Sequence, residues 1–126
     1  MSYDDDMQNS VDDLKAEVIG HKIINVEKNV RIPGNEYWRM PGTEITLDNG
    51  KRVYLIDSED CCAYTELDKF LFNADLAEHI ITNVETEDSY STWHILADMA
   101  EVLSLDVGWS EGSGYYSYGF TIEVEG

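Results

Sequence analysis

The stretch Thr43-Glu44-Ile45-Thr46-Leu47-Asp48-Asn49-Gly50-Lys51-Arg52-Val53-Tyr54-Leu55-Ile56 decides the fold. Ile45 and Leu47 alternate with polar neighbours, so the first run has the period of a strand with one wet face. A second apolar run, 51–56, follows Asp48-Asn49-Gly50. Asn-Gly between two such runs is a strong hairpin signal, because a type I′ turn needs positive φ at both central residues. The reading is two antiparallel strands, 43–47 and 51–56.

Upstream, residues 21–30 are rich in Ile, Val and Asn and read as a strand. Residues 31–42 hold both prolines and two glycines, together with Tyr37 and Trp38, and read as a long loop. Ser10 and Asp13 form an acidic variant of the capping box. It opens a helix over 11–18, with Val11, Leu14 and Val18 on one face and Gly20 at its end. Residues 1–9, with Asp4-Asp5-Asp6, read as a mobile, disordered acidic tail ahead of a single domain at 10–126.

Downstream, Leu67, Phe70, Leu71 and Leu76 stand near helical spacing, and a short helix or turn is expected at 74–78. Residues 80–85 read as a strand. A strand at 92–97, a turn near Asp98-Met99 and a strand at 101–109 follow, with a helix over 94–103 as the alternative. In the last segment Tyr116, Tyr118, Phe120, Ile122 and Val124 share one face. Residues 110–114 are expected to connect it back to 101–109 as a hairpin. Ser104, Asp106, Thr121 and Glu123 then lie opposite the apolar face. The fold class is mainly β, of the α+β kind. It is one compact domain whose antiparallel sheet or small barrel is built from hairpins, with one or two short helices.

The chain has 126 residues, with 26 Asp and Glu against 8 Lys and Arg, for a net charge of −18. With 43% apolar residues it has the means to build a core. The charge is uneven: residues 61–126 carry 13 acids and one base, Lys69. A field of this sign attracts basic proteins or cations and repels phosphate and anionic lipid. No apolar run approaches the ~18 residues of a membrane span, and the N-terminus does not read as a signal peptide. A soluble cytoplasmic protein is expected.

No signature of an enzyme class is present, and no cofactor or metal is expected. Cys61 and Cys62 are adjacent and read as structural, since neighbours on a strand point to opposite faces. A vicinal disulfide, a metal site with His79 or His94, and a reactive thiol are the alternatives. Zinc sites separate their cysteines by two to four residues, however, and Asp60 disfavours a thiolate. His21, His79 and His94 are scattered and read as satisfied surface or half-buried residues. Trp109, Tyr115, Tyr116 and Tyr118, with Glu111 among them, surround the final turn. They pair across a sheet core or form an exposed strip that grips a partner. Tyr37 and Trp38 are further contact candidates, because loops carry function disproportionately.

Several of these segments occur in a telling order: Ile19-Gly20-His21-Lys22-Ile23, then Asp60-Cys61-Cys62, then Trp109 and Gly114-Tyr115-Tyr116-Ser117. In this the chain resembles a family of small uncharacterised proteins common in phages and also found in bacteria. The resemblance covers roughly residues 14–124. It implies a compact β-rich domain in a phage setting and carries no activity. The acidic N-terminus and the 31–42 stretch depart from it.

The function expected is therefore that of a non-enzymatic accessory protein in the host cytoplasm. It would bind a basic host or phage protein through an acidic face and aromatic anchors. A module that sequesters a small nucleotide signal and a virion decoration protein are the alternatives. The sequence leaves the oligomeric state open.

Overall fold

The hairpin of residues 43–56 forms, with a different turn. Strand β2 (Gly42–Leu47) pairs with β3 (Arg52–Ile56), from Gly42 opposite Ile56 to Thr46 opposite Arg52. The Gly50 amide donates to the Leu47 carbonyl at 3.1 Å, and the Leu47 amide to the Lys51 carbonyl at 2.9 Å. Gly50 has φ 85°, while Asn49 is not among the residues with positive φ. This is a three-residue loop in which Gly50 takes the left-handed position, in place of the expected type I′ turn.

The computed structural model describes residues 3–30, 41–59, 64–98, 100–110 and 119–126. Helix α1 (Tyr3–Val18) leads to β1 (Ile23–Val30), β2 and β3. Then come β4 (Ser58–Glu59), β5 (Tyr64–Phe72), a 3-10 turn (Ala74–Leu76), β6 (Ile81–Glu87), β7 (Thr92–Ala97), β8 (Ala100–Ser110) and β9 (Thr121–Glu125). The strands form two antiparallel sheets, ordered β1-β2-β3-β9 and β4-β5-β8-β7-β6. The mainly β class holds, and the described residues form two open sheets with no closed barrel. The strands expected at 92–97 and 101–109 form, as β7 and β8, and the alternative helix over 94–103 does not.

Four features differ from expectation. The helix begins at Tyr3, so most of the expected tail is helical. Met7 lies four residues ahead of Val11 and extends the buried stripe Val11, Leu14, Val18 by one turn. Ser10 is not a cap: its hydroxyl donates to the Phe120 carbonyl at 3.0 Å and ties the helix to the start of β9. Leu67, Phe70 and Leu71, read near helical spacing, lie in strand β5. Finally, β9 does not form a hairpin with β8. It pairs with β3, while β8 lies between β5 and β7.

The near-helical spacing in β5 has a physical cause. In β5 the register steps from Leu67 opposite Val107 to Lys69 opposite Asp106, which leaves Asp68 as an extra residue. Such a bulge turns the alternation of a strand into a local i, i+3 step, here Leu67 to Phe70. That step imitates a helix. Similar shifts occur in β1 between Ile23 and Asn25, in β6 between Ile81 and Asn83, and where β7 meets β8 beside Val102.

One core lies between the sheets. It takes Ile23, Ile45, Leu47, Val53 and Leu55 from the four-stranded sheet, and Ile81, Val84, Ile95, Leu103 and Leu105 from the other. The stripe of α1 joins both, resting on β6 and β9. Trp93 is wholly buried there. Its ring meets Phe120 edge to face, with centroids 5.4 Å apart, and its indole N–H donates to the Tyr90 carbonyl at 2.8 Å. No helix of the described residues is long and apolar enough to cross a membrane.

Candidate functional site

The ladders of the five-stranded sheet fix which side chains share its outer face. Trp93 pairs with Leu105 and Leu105 with Phe70, all facing the core. The rows on either side of it therefore point outward. One row runs Glu87, Thr92, Asp106, Lys69 across β6, β7, β8 and β5. The next runs Glu85, His94, Ser104, Leu71. Glu101 stands opposite Leu96 on the following row, and Glu66 opposite Gly108 on the preceding one.

The bulged Asp68 belongs to the same face. A Cβ placed on Gly108 would lie 3.0 Å from an Asp68 carboxylate oxygen, so the missing side chain of Gly108 is what makes room for it. Six acids, Glu66, Asp68, Glu85, Glu87, Glu101 and Asp106, thus share the outer face with one lysine of the sheet's own strands, while Lys28 of β1 reaches the Asp68 carbonyl. Lys69 is 3.6 Å from Asp106 and well exposed, a geometry worth little to stability. Leu71, 72% exposed, is a large apolar side chain open to solvent on this face.

His94 sits at the centre of the acids. Its Nε2 is 2.9 Å from a Glu87 oxygen and its Nδ1 is 2.9 Å from a Glu101 oxygen. The bond to Glu87 is the largest influence and raises the His94 pKa above the ordinary histidine value. Burial opposes the rise, and Glu101 adds to it. His21, by contrast, makes a single exposed contact, 3.2 Å to Asp48.

A strained turn borders the face. Asp88, Ser89 and Tyr90, between β6 and β7, all have positive φ, at 53°, 53° and 66°. Three successive non-glycine residues in this region persist only where the surroundings over-determine them. They do here. Trp109 Nε1 donates to the Ser89 carbonyl, Trp93 Nε1 to the Tyr90 carbonyl and the Val107 amide to the Ser91 carbonyl, each at 2.8 Å. The Tyr90 hydroxyl donates to Gln8 on α1 at 3.0 Å.

A third polar group lies where the chain passes from β3 into β4. Asp57 is half-buried, and its carboxylate accepts from the Leu67 amide at 3.3 Å. Burial pushes its pKa up to about 6; the Leu67 bond and Lys28 oppose this, and Glu66 and Asp68 add to it. Lys28 donates to the Asp68 carbonyl, joining β1 to the bulge of β5.

Of the partner-contact candidates from sequence, Trp109 is described, half-buried, with its indole N–H holding the turn. Tyr37, Trp38, Glu111, Tyr115, Tyr116 and Tyr118 lie outside the described residues, as do Cys61 and Cys62. Ser104 and Asp106 do lie opposite the core. Thr121 and Glu123 do too, but on the other sheet, opposite Ile56 and Tyr54, so the two pairs do not share a face. Sequence reasoning missed Glu85, Glu87, His94, Glu101 and Leu71 as a set. The alternation of 92–97 and 101–109 was the available signal for His94, Ser104 and Asp106. The bulges hid the rest. Among the described residues no group of three or more His, Cys, Asp or Glu is arranged to hold a metal ion.

No curated protein and no solved structure shows significant similarity to the chain. A family model does: residues 16–122 match DUF7448, a domain of unknown function, so that most of α1 lies ahead of the matched region. The match spans most of the sequence, and the chain belongs to this DUF7448 family.

Proposed function

We propose that the outer face of the five-stranded sheet binds a basic protein, and that the chain is a non-enzymatic accessory protein of the phage setting its motifs resemble. The observation that carries this reading is the register. It gathers Glu66, Asp68, Glu85, Glu87, Glu101 and Asp106 on one face whose strands hold a single Lys or Arg, Lys69. Concentrated charge of one sign costs a fold self-repulsion and speeds encounter with the opposite sign. Leu71 supplies an exposed apolar contact at the β5 side of this face.

The test is calorimetric titration of the protein with an arginine-rich peptide. Affinity is expected to fall at least about tenfold as salt rises from about 20 mM to about 300 mM. The double variant Glu66→Lys, Glu85→Lys should abolish binding. Glu123→Lys, on the opposite sheet, should change it no more than about twofold. Binding that ignores both salt and the double variant defeats the proposal.

A further inference from the structure

Strands β6, β7 and β8 contain no lysine or arginine in ITNVETE, TWHILA and AEVLSLDVGWS. His94 is therefore their one side chain able to carry positive charge. It stands on the middle strand of the three and reaches a carboxylate on each neighbour, Glu87 on β6 and Glu101 on β8, at 2.9 Å each way. A carboxylate only accepts hydrogen bonds, and a neutral imidazole has one N–H. Two such contacts at once require the doubly protonated ring. In the neutral ring one nitrogen lone pair would face a carboxylate oxygen, with repulsion where there was a bond.

From this geometry we infer that Glu87, His94 and Glu101 form a proton-operated staple across β6, β7 and β8, closed when His94 is charged and open when it is neutral. Other charged groups face it from both sides. Glu85 stands directly opposite His94 on β6, and Asp106 lies one row on in β8, where it also meets Lys69 of β5. All the acids favour the closed form. Opening the staple leaves Glu85, Glu87 and Glu101 without a counter-charge on β6–β8. The edge strand β6 then keeps its ladder to β7 and the Thr82 hydroxyl bond to the Leu96 carbonyl, but loses its charged side-chain tie to the sheet. The sign follows from linkage. A histidine whose folded pKa lies above its unfolded value stabilises the fold fully below the unfolded pKa. That contribution is lost as pH rises through the folded pKa. The raised pKa of His94 agrees in direction.

The staple is tested on the protein alone by NMR titration of the His94 ring and by amide exchange in β6. His94 should titrate above the ordinary histidine value, with both ring nitrogens protonated at about pH 6. After correction for intrinsic exchange, β6 amides should be about fivefold better protected at about pH 6 than at about pH 8.5. In His94→Gln that difference should vanish. Glu101→Gln, which keeps the imidazole, should lower the His94 pKa part of the way. The inference is overturned if His94 titrates at or below the ordinary value. It is equally overturned if the Glu101 variant leaves that pKa unmoved, or if β6 protection keeps its pH dependence without His94.

Discussion

The two sheets solve the same problem in different ways. From β2 through β3 to β9 the ladder of the four-stranded sheet runs without a register shift. In the five-stranded sheet each of the three long pairings carries one. The regular part of that sheet, β2-β3-β9, follows simple alternation, while β1 meets β2 with two shifts; β3 is buried on both faces, with Tyr54 and Ile56 joined by Val30 on the outer side. The bulged sheet re-aims side chains partway along each strand. Its reward is a bent surface on which Glu101 and Glu87 both reach His94. Regularity builds the platform, and irregularity builds the candidate site.

Deletions break this comparison most directly. Removing Tyr54 from β3 moves every following side chain of a regular strand to the wrong face, and the protein should lose its folded state, read by circular dichroism. Removing Asp68 instead heals a bulge: Leu67 and Lys69 become neighbours on opposite faces, as a regular strand requires. That variant should fold, at a cost of no more than about 2 kcal/mol in urea denaturation. If both deletions are equally damaging, the bulges are not the separable insertions described above.

Trp93→Ala probes the meeting point of the two sheets. It removes the ring against Phe120 and the donor to the Tyr90 carbonyl, and should cost about 3–5 kcal/mol. The loss should appear as one cooperative transition, since one core serves both sheets.

The smallest effect belongs to Asp57, at the passage from one sheet to the other. Its folded pKa of about 6 lies above the ordinary 3.8, so the folded state holds this proton more tightly than the unfolded chain. Stability from this group is complete below the lower value and is lost as pH rises toward the upper one. Asp57→Asn should therefore be neutral at about pH 3.5 and stabilising at about pH 7. Solvent screens the half-buried group, which limits the gain to about 1 kcal/mol. Thermal melts at the two pH values give the sign.

The legibility of the sequence followed the same division. The 43–56 hairpin was recoverable from period and Asn-Gly, although its turn is a three-residue loop in place of the two-residue type I′ form. The strands at 92–97 and 101–109 were visible in their alternation, with the Val102 bulge blurring the join. Strand β5 was not, because Asp68 sets Leu67 and Phe70 three apart. The partner of β9 was hidden for another reason. Pairing of the chain's last strand with β3 is a long-range choice that no local pattern encodes, whereas a hairpin with β8 was the cheaper local guess. The acidic face suffered from both, since its membership depends on register and on which sheet each strand joins. Met7 could have been read: it continues the Val11, Leu14, Val18 spacing, but three aspartates just before it pointed to a tail.

The outer strands have a consequence for assembly. An unprotected sheet edge is a template on which a second chain can add a strand. Here β1 is interrupted by two register shifts, β4 is two residues long, β6 is bulged at Thr82 and clasped by Gly20 and His21 at Ile81, and β9 carries Glu123 and Glu125. Each of these four strands thus carries a feature that works against the addition of a second chain through its backbone.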